Sequence, residues 1–140
     1  LARERTIAFA GLNQPVHVKG NAHAIEDAIR NLVENAVTHS PPQTEVTVST
    51  HPDGSVSVRD QGPGIREEDR QRVFDRFWRG KGTSSQGAGL GLAIVMEIMR
   101  FHRGSIKVDD RPNGGAVLTL CFPLAGDGVA PNYLGRANPT

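Results

Sequence analysis

Between Asn21 and Pro41 the apolar residues Ile25, Ala28, Ile29, Leu32, Val33 and Ala36 recur at helical spacing. A stripe of that kind has to be buried against a second layer of structure. Asn21 is suited to cap this helix, Glu26 and Asp27 suit its positive end, and Pro41-Pro42 stops it. A helix advances about 100° per residue, so Asn31 and Asn35 stand one turn apart on a flank of the stripe. Thr38 follows on the same line. Polar side chains in a row at the edge of a core can look into a cleft between helix and sheet.

The other segments supply the sheet. Ile7 to Ala10 and Val16 to Lys19 are expected as two short strands around the turn at 11–15. Val46, Val48 and Thr50 alternate, Asp53-Gly54 turns, and Val56 and Val58 alternate back. Residues 67–74 are expected as a short helix, and 79–86 as a polar, glycine-rich connector. Leu90 to Phe101 is apolar nearly all round and is expected to be mostly buried. Ile106 and Val108 lead through Pro112-Asn113-Gly114-Gly115 into Leu118, Leu120 and Phe122, a closing hairpin. No internal repeat is present, and the pattern predicts an α+β sandwich with one mixed sheet and helices on one face. Residues 1–124 are expected as the domain, and the Gly, Ala, Pro and Asn of 125–140 as a disordered tail.

Composition excludes several classes. At 140 residues the chain has the size of one domain with a core. A net charge of +1 offers no field for nucleic acid or an acidic membrane surface. Cys121 is the single cysteine, so no internal disulfide forms and a reducing compartment fits. No apolar run reaches the roughly 18 residues of a membrane span. The chain opens on Leu1 without a signal-peptide pattern and is expected to be a piece of something longer.

Three features carry chemistry. Asn carbonyl oxygens at 31 and 35 are hard, neutral ligands that suit a magnesium ion bridging phosphates, although two Asn on a helix are also compatible with a solvated face. Asp60 shares a strand face with Val56 and Val58, where an aspartate is costly unless something hydrogen-bonds it. An adenine amino group is a suitable donor; the alternative is a turn aspartate capping the next backbone amides. Gly62 and Gly64 let the backbone pass close to a flat base, with Pro63 stiffening the loop. Gly87-Ala88-Gly89-Leu90-Gly91-Leu92 opens a helix whose free amides form an anion site. No strand immediately precedes these glycines, which argues against a dinucleotide-binding turn and for a lid over phosphates. Phe74 and Phe77 share a helical face and suit core packing at the lid's root.

Taken in order, Asn31-Leu32-Val33-Glu34-Asn35-Ala36, Asp60-Gln61-Gly62-Pro63-Gly64, Phe74-Asp75-Arg76-Phe77-Trp78-Arg79 and Gly87-Ala88-Gly89-Leu90-Gly91-Leu92 resemble the N, G1, F and G2 boxes of the catalytic, ATP-binding domain of sensor histidine kinases. That superfamily also holds type II topoisomerase ATPases, ninety-kilodalton heat-shock chaperones and mismatch-repair ATPases. The resemblance runs from about Pro15 to Leu124. It implies a Bergerat-type two-layer α/β sandwich binding ATP and Mg²⁺, with Asn35 as the metal ligand and Asn31 on the phosphate side. It implies that Asp60 tells ATP from GTP, with His39, Gly62, Gly64 and Ile65 around the base and Thr38 on the phosphate side. Arg79, Lys81 and residues Gly87, Ala88, Gly89, Leu90, Gly91 and Leu92 would hold the phosphates.

The implied reaction passes the γ-phosphate to a histidine on a separate, upstream dimerisation domain, and a cognate response regulator is served indirectly. The implied setting is cytoplasmic, the cytoplasmic part of an inner-membrane sensor included, with this fragment monomeric and not membrane-inserted. Glu34 is a candidate proton acceptor or orienter for the incoming histidine, or a solvated carboxylate. Two positions depart from the family pattern. The lysine common three residues after the second asparagine is Thr38, which removes one cation; the aromatic that often follows is His39. The hydrolytic relatives carry a glutamate one turn before the magnesium asparagine, where it activates water. Here that place holds Asn31, which is no base, so kinase chemistry is favoured over the ATPase alternative. An anti-sigma-like serine kinase and a binding-only module are further alternatives. His17, His23, His51 and His102 show no metal spacing.

Overall fold

The computed structural model describes residues 6–12, 15–75, 91–111 and 114–124. The 79–86 connector, the 125–140 tail, Arg76, Phe77 and Trp78 lie outside them. Strand β1 (Thr6–Ala10) is followed by helix α1 (Ala22–His39), strands β2 (Glu45–Thr50) and β3 (Ser55–Arg59), helix α2 (Gly91–Phe101), and strands β4 (Ser105–Asp110) and β5 (Ala116–Cys121). The five strands form one mixed sheet in the order β1-β2-β3-β5-β4, with the helices on one face. Only the β1–β2 pair is parallel.

Helix α1 begins and ends where its caps dictate. The Asn21 side chain accepts from the Ala24 N–H at 2.9 Å, and Ser40, ahead of Pro41, is already extended. Its stripe puts Ala28, Leu32 and Ala36 into a core shared with Val46, Val58, Val95, Met99, Leu118, Leu120 and Phe122. The two hairpins follow the alternation: Val48 faces Val58, Ile106 faces Leu120, and Val108 faces Leu118. At the β2–β3 turn Gly54 has φ +86°, a conformation that favours glycine. Beside it Asp53 accepts from the hydroxyl and N–H of Ser55 at 2.6 and 3.0 Å. The Ser55 hydroxyl first, then its backbone N–H, lower the Asp53 pKa below its ordinary 3.8. The turn's contribution to stability is therefore present above that value and lost as pH falls through the lowered one.

Three expectations change. Val16–Lys19 is no strand: Val18 makes a single bridge to Leu124, and the Lys19 N–H donates to Pro123 O. Strand β1 instead crosses over through α1 to lie parallel to β2, with Ile7 beside Val46 and Phe9 beside Val48. Pro15 has no N–H to give to a ladder, and Gly20 follows closely, so the segment between them cannot extend into one. Residues 67–74 form two 3₁₀ turns, Glu67–Asp69 and Arg72–Phe74. Apart from Val73 and Phe74 that stretch has no apolar stripe to hold a helix down, and the Asp69 side chain is bound by Arg66. Helix α2 buries one face only, through Ala93, Val95 and Met99, while Ile94 and Phe101 are 43% and 66% exposed.

Candidate nucleotide-binding site

Asp60 follows the last residue of β3 and is 6% exposed. Its two carboxylate oxygens differ. Oδ1 accepts the Gly62 N–H at 2.9 Å and the Ala116 N–H at 3.2 Å. Oδ2 accepts no hydrogen bond among the described residues. A buried carboxylate oxygen without a donor is costly, and it marks a place where a ligand donor is welcome. The two sequence readings of Asp60 thus concern different oxygens: one caps the turn, the other is available.

The neighbouring backbone explains how Asp60 is held. Its N–H donates to Ala116 O at 3.0 Å, and its own carbonyl accepts from Arg111 Nη1 at 3.0 Å. A Cβ on Gly115 would stand 2.1 Å from that carbonyl, and Gly115 has φ +104°. Both facts demand glycine there. Replacing Gly115 with Ala is expected to cost about 2–4 kcal/mol through strain and displacement of the Asp60 carbonyl. Urea unfolding measures this, and an unchanged midpoint would contradict the packing of the β4–β5 turn on Asp60.

The loop after Asp60 is shaped by two glycines for different reasons. Beside Gly62 the space for a side chain is filled by His39 O, 2.4 Å from where a Cβ would lie. Its bareness therefore serves the join to the end of α1, a reason for glycine that the sequence did not offer. Gly64 has φ +84° and turns the loop back. Ile65 packs against the core, and its carbonyl accepts from Arg70 Nε at 3.4 Å.

On α1, Asn31 Nδ2 donates to Asp27 O at 2.8 Å, one turn back. Its Oδ1 lies 3.3 Å from where a Cβ on Gly91 would stand, so Asn31 and the first residue of α2 adjoin. Asn35 is half-buried, and among the described residues its amide makes no hydrogen bond. Glu34 is exposed and has no partner among the described residues. Thr38 and His39 are exposed on the last turn, and Leu92 packs against the core. Arg79, Lys81, Gly87, Ala88, Gly89 and Leu90 lie outside the described residues. The donor set around Asn35 and Asn31 is neutral oxygen, which suits a hard cation already carrying waters and phosphates. No cluster of His, Cys, Asp and Glu suited to a metal occurs among the described residues.

Sequence reasoning missed Arg111, Gly115, Ala116 and Arg70. Arg70 reaches Ile65 from five residues away, whereas Arg111, Gly115 and Ala116 act on the loop from far along the chain, the Arg111–Asp60 contact across 51 residues. No local pattern signals such a contact, although the Gly114-Gly115 pair marked the turn.

Residues 20–126 match the family model described as histidine kinase-, DNA gyrase B- and HSP90-like ATPase. The sensor histidine kinase CpxA of Escherichia coli is 40% identical over 128 residues, covering 89% of this chain and 28% of its own length. SenX3 of Mycolicibacterium smegmatis is 39% identical over 112 residues, covering 76% of this chain and 29% of its own length. The chain thus spans under a third of these curated relatives. Among solved structures, the mycobacterial sensor histidine kinase MprB superposes with a TM-score of 0.75 at 31% identity, over 86% of this chain and 82% of that one. The catalytic domain of histidine kinase ThkA gives 0.70 at 30% identity, over 85% and 78%. With the matched fold, the matched boxes and this coverage, the chain belongs to the histidine kinase-, DNA gyrase B- and HSP90-like ATPase family, as an ATP-binding catalytic domain of the sensor histidine kinase kind.

Proposed function

We propose that residues 1–124 bind Mg-ATP and pass its γ-phosphate to a histidine on a separate, upstream helical dimerisation domain of the same protein. The observation that carries the nucleotide assignment is the buried Asp60, whose Oδ2 has no partner among the described residues. It accepts the exocyclic amino group of adenine; guanine presents a carbonyl oxygen at that position and is repelled. Gly62, Gly64, Ile65 and His39 line the base. Asn31, Arg79, Lys81, the glycines at 87, 89 and 91, Ala88, Leu90 and Leu92 hold the phosphates, with Thr38 at the edge in place of a cation.

Asn35 offers its carbonyl oxygen to Mg²⁺. When bound, that ion neutralises charge on the phosphates. This chain's own residues do the rest by positioning. Glu34, exposed and unpaired, orients the incoming imidazole or takes its proton. Asn31 fills the place where a base would activate water, so hydrolysis is slow. The phosphohistidine then serves a response regulator. No helix among the described residues is long and apolar enough to cross a membrane, and we place this domain in the cytoplasm, monomeric by itself and without a nucleic-acid partner.

Calorimetry on the chain with ADP and GDP in the presence of Mg²⁺ tests the nucleotide assignment. ADP is expected to bind about 100-fold or more tightly than GDP, since a site built to accept a hydrogen bond rejects a ligand that cannot donate one. Equal affinities, or none for either, would overturn it.

A further inference from the structure

The carbonyl of Asp60 is enclosed on two sides. Gly115 stands so close that no atom fits between them. Arg111 Nη1 at 3.0 Å is the one hydrogen-bond donor to it among the described residues. This matters because the carbonyl belongs to the peptide linking Asp60 to Gln61. That peptide carries the Gln61 N–H, and its orientation sets, through Gln61, the direction of the following peptide, whose N–H is that of Gly62. That N–H is one of the two donors gripping Oδ1 at 2.9 Å. The guanidinium therefore acts on the carboxylate through two successive peptide units: it holds the Asp60 carbonyl, Gln61 passes that orientation on to the Gly62 N–H, and Gly62 with Ala116 fixes Oδ1. The remaining oxygen, Oδ2, is then aimed in one direction.

The rest of the turn is built to keep Arg111 in place. Its N–H donates to Gly115 O at 3.1 Å, and its carbonyl accepts from Gly114 N–H at 3.2 Å. One residue earlier, Asp110 pairs with Arg70 at 2.8 Å, and Arg70 also holds Ile65 O at the far end of the loop. The loop at 60–65 is thus pinned at both ends to the mouth of the β4–β5 hairpin, through two arginines.

We propose that Arg111 is a positioning residue for base selection, touching no ligand itself and setting the direction in which Asp60 presents its free oxygen. The proposal rests on the reading of Asp60 as the adenine acceptor. Without Arg111 the carbonyl is left enclosed and without a donor, so the peptide turns to find one and the Gly62 N–H swings away from Oδ1. The carboxylate then samples orientations in which its oxygen no longer meets the adenine amino group.

The test measures dissociation constants for ADP and GDP, with Mg²⁺, on the wild-type chain and on Arg111→Met and Arg111→Lys, alongside melting temperatures. The GDP-to-ADP ratio is expected to fall about tenfold in Arg111→Met, the loss of one hydrogen bond's worth of orientation. It should return to within about threefold of wild type in Arg111→Lys, whose ammonium can still donate. If Arg111→Met does not fold, Arg111→Leu, which likewise lacks a donor, is read in its place, with the same tenfold expectation. A ratio unchanged in the Met or Leu variant overturns the proposal. So does a fall in both Met and Lys variants that follows their melting temperatures, which is what a merely structural role would give. A wild-type chain that fails to distinguish ADP from GDP refutes the adenine reading itself, and the proposal falls with it.

Discussion

Asp60→Asn is expected to weaken ADP binding by about ten- to a hundredfold, and to shift the melting temperature by only a few degrees. The asparagine oxygen can keep the place of Oδ1 and still accept from Gly62 and Ala116, so the fold's own bonds survive. The other position becomes an NH₂, a donor facing the donor that adenine brings. The large effect therefore falls on the ligand rather than on folding. Calorimetry and a thermal melt on the same sample separate the two. Unchanged ADP affinity would remove Asp60 from base recognition; a melting temperature lowered in step with affinity would make it a structural residue only.

Asn35→Ala has the largest expected effect, a loss of phosphoryl transfer of about a hundredfold or more, because it removes the proposed metal ligand, a half-buried amide on α1 with no hydrogen bond among the described residues. Neighbouring Leu32 and Ala36 carry the packing, so stability is expected to change by less than about 1 kcal/mol. ADP binding measured with a chelator should match wild type, whereas the gain on adding Mg²⁺ should disappear. A variant that still responds to Mg²⁺ as wild type does would move the metal site elsewhere.

Much of the site was legible because its parts are local. Helix α1 announces itself by periodicity and caps, and the flank position of Asn31 and Asn35 follows from the same geometry. The alternation through Val56 and Val58 placed Asp60 inward, and its burial bears that out. The parts that were not legible depend on distant segments. Whether β1 turns back on Val16–Lys19 or crosses to β2 is decided by which strand offers a continuous apolar face, and Val46 and Val48 do so. The outward position of Ile94 and Phe101 cannot be read from a helix that is apolar all round, since such a sequence does not say how many layers cover it. That Gly62 also abuts His39 O is known only once α1 and the loop are set side by side.

The central claim is that this domain donates phosphate to a histidine it does not itself contain. The direct measurement is incubation of the chain with γ-labelled ATP and Mg²⁺, alone and together with the upstream helical domain of its parent protein. The account predicts no acid-labile label on residues 1–140 in either case, and acid-labile label on the upstream domain that is lost with Asn35→Ala. Rapid release of free phosphate by the chain alone, dependent on Asp60 and Asn35, would contradict it and make the domain an ATPase; acid-stable phosphoserine on the added partner would contradict it in favour of a serine kinase.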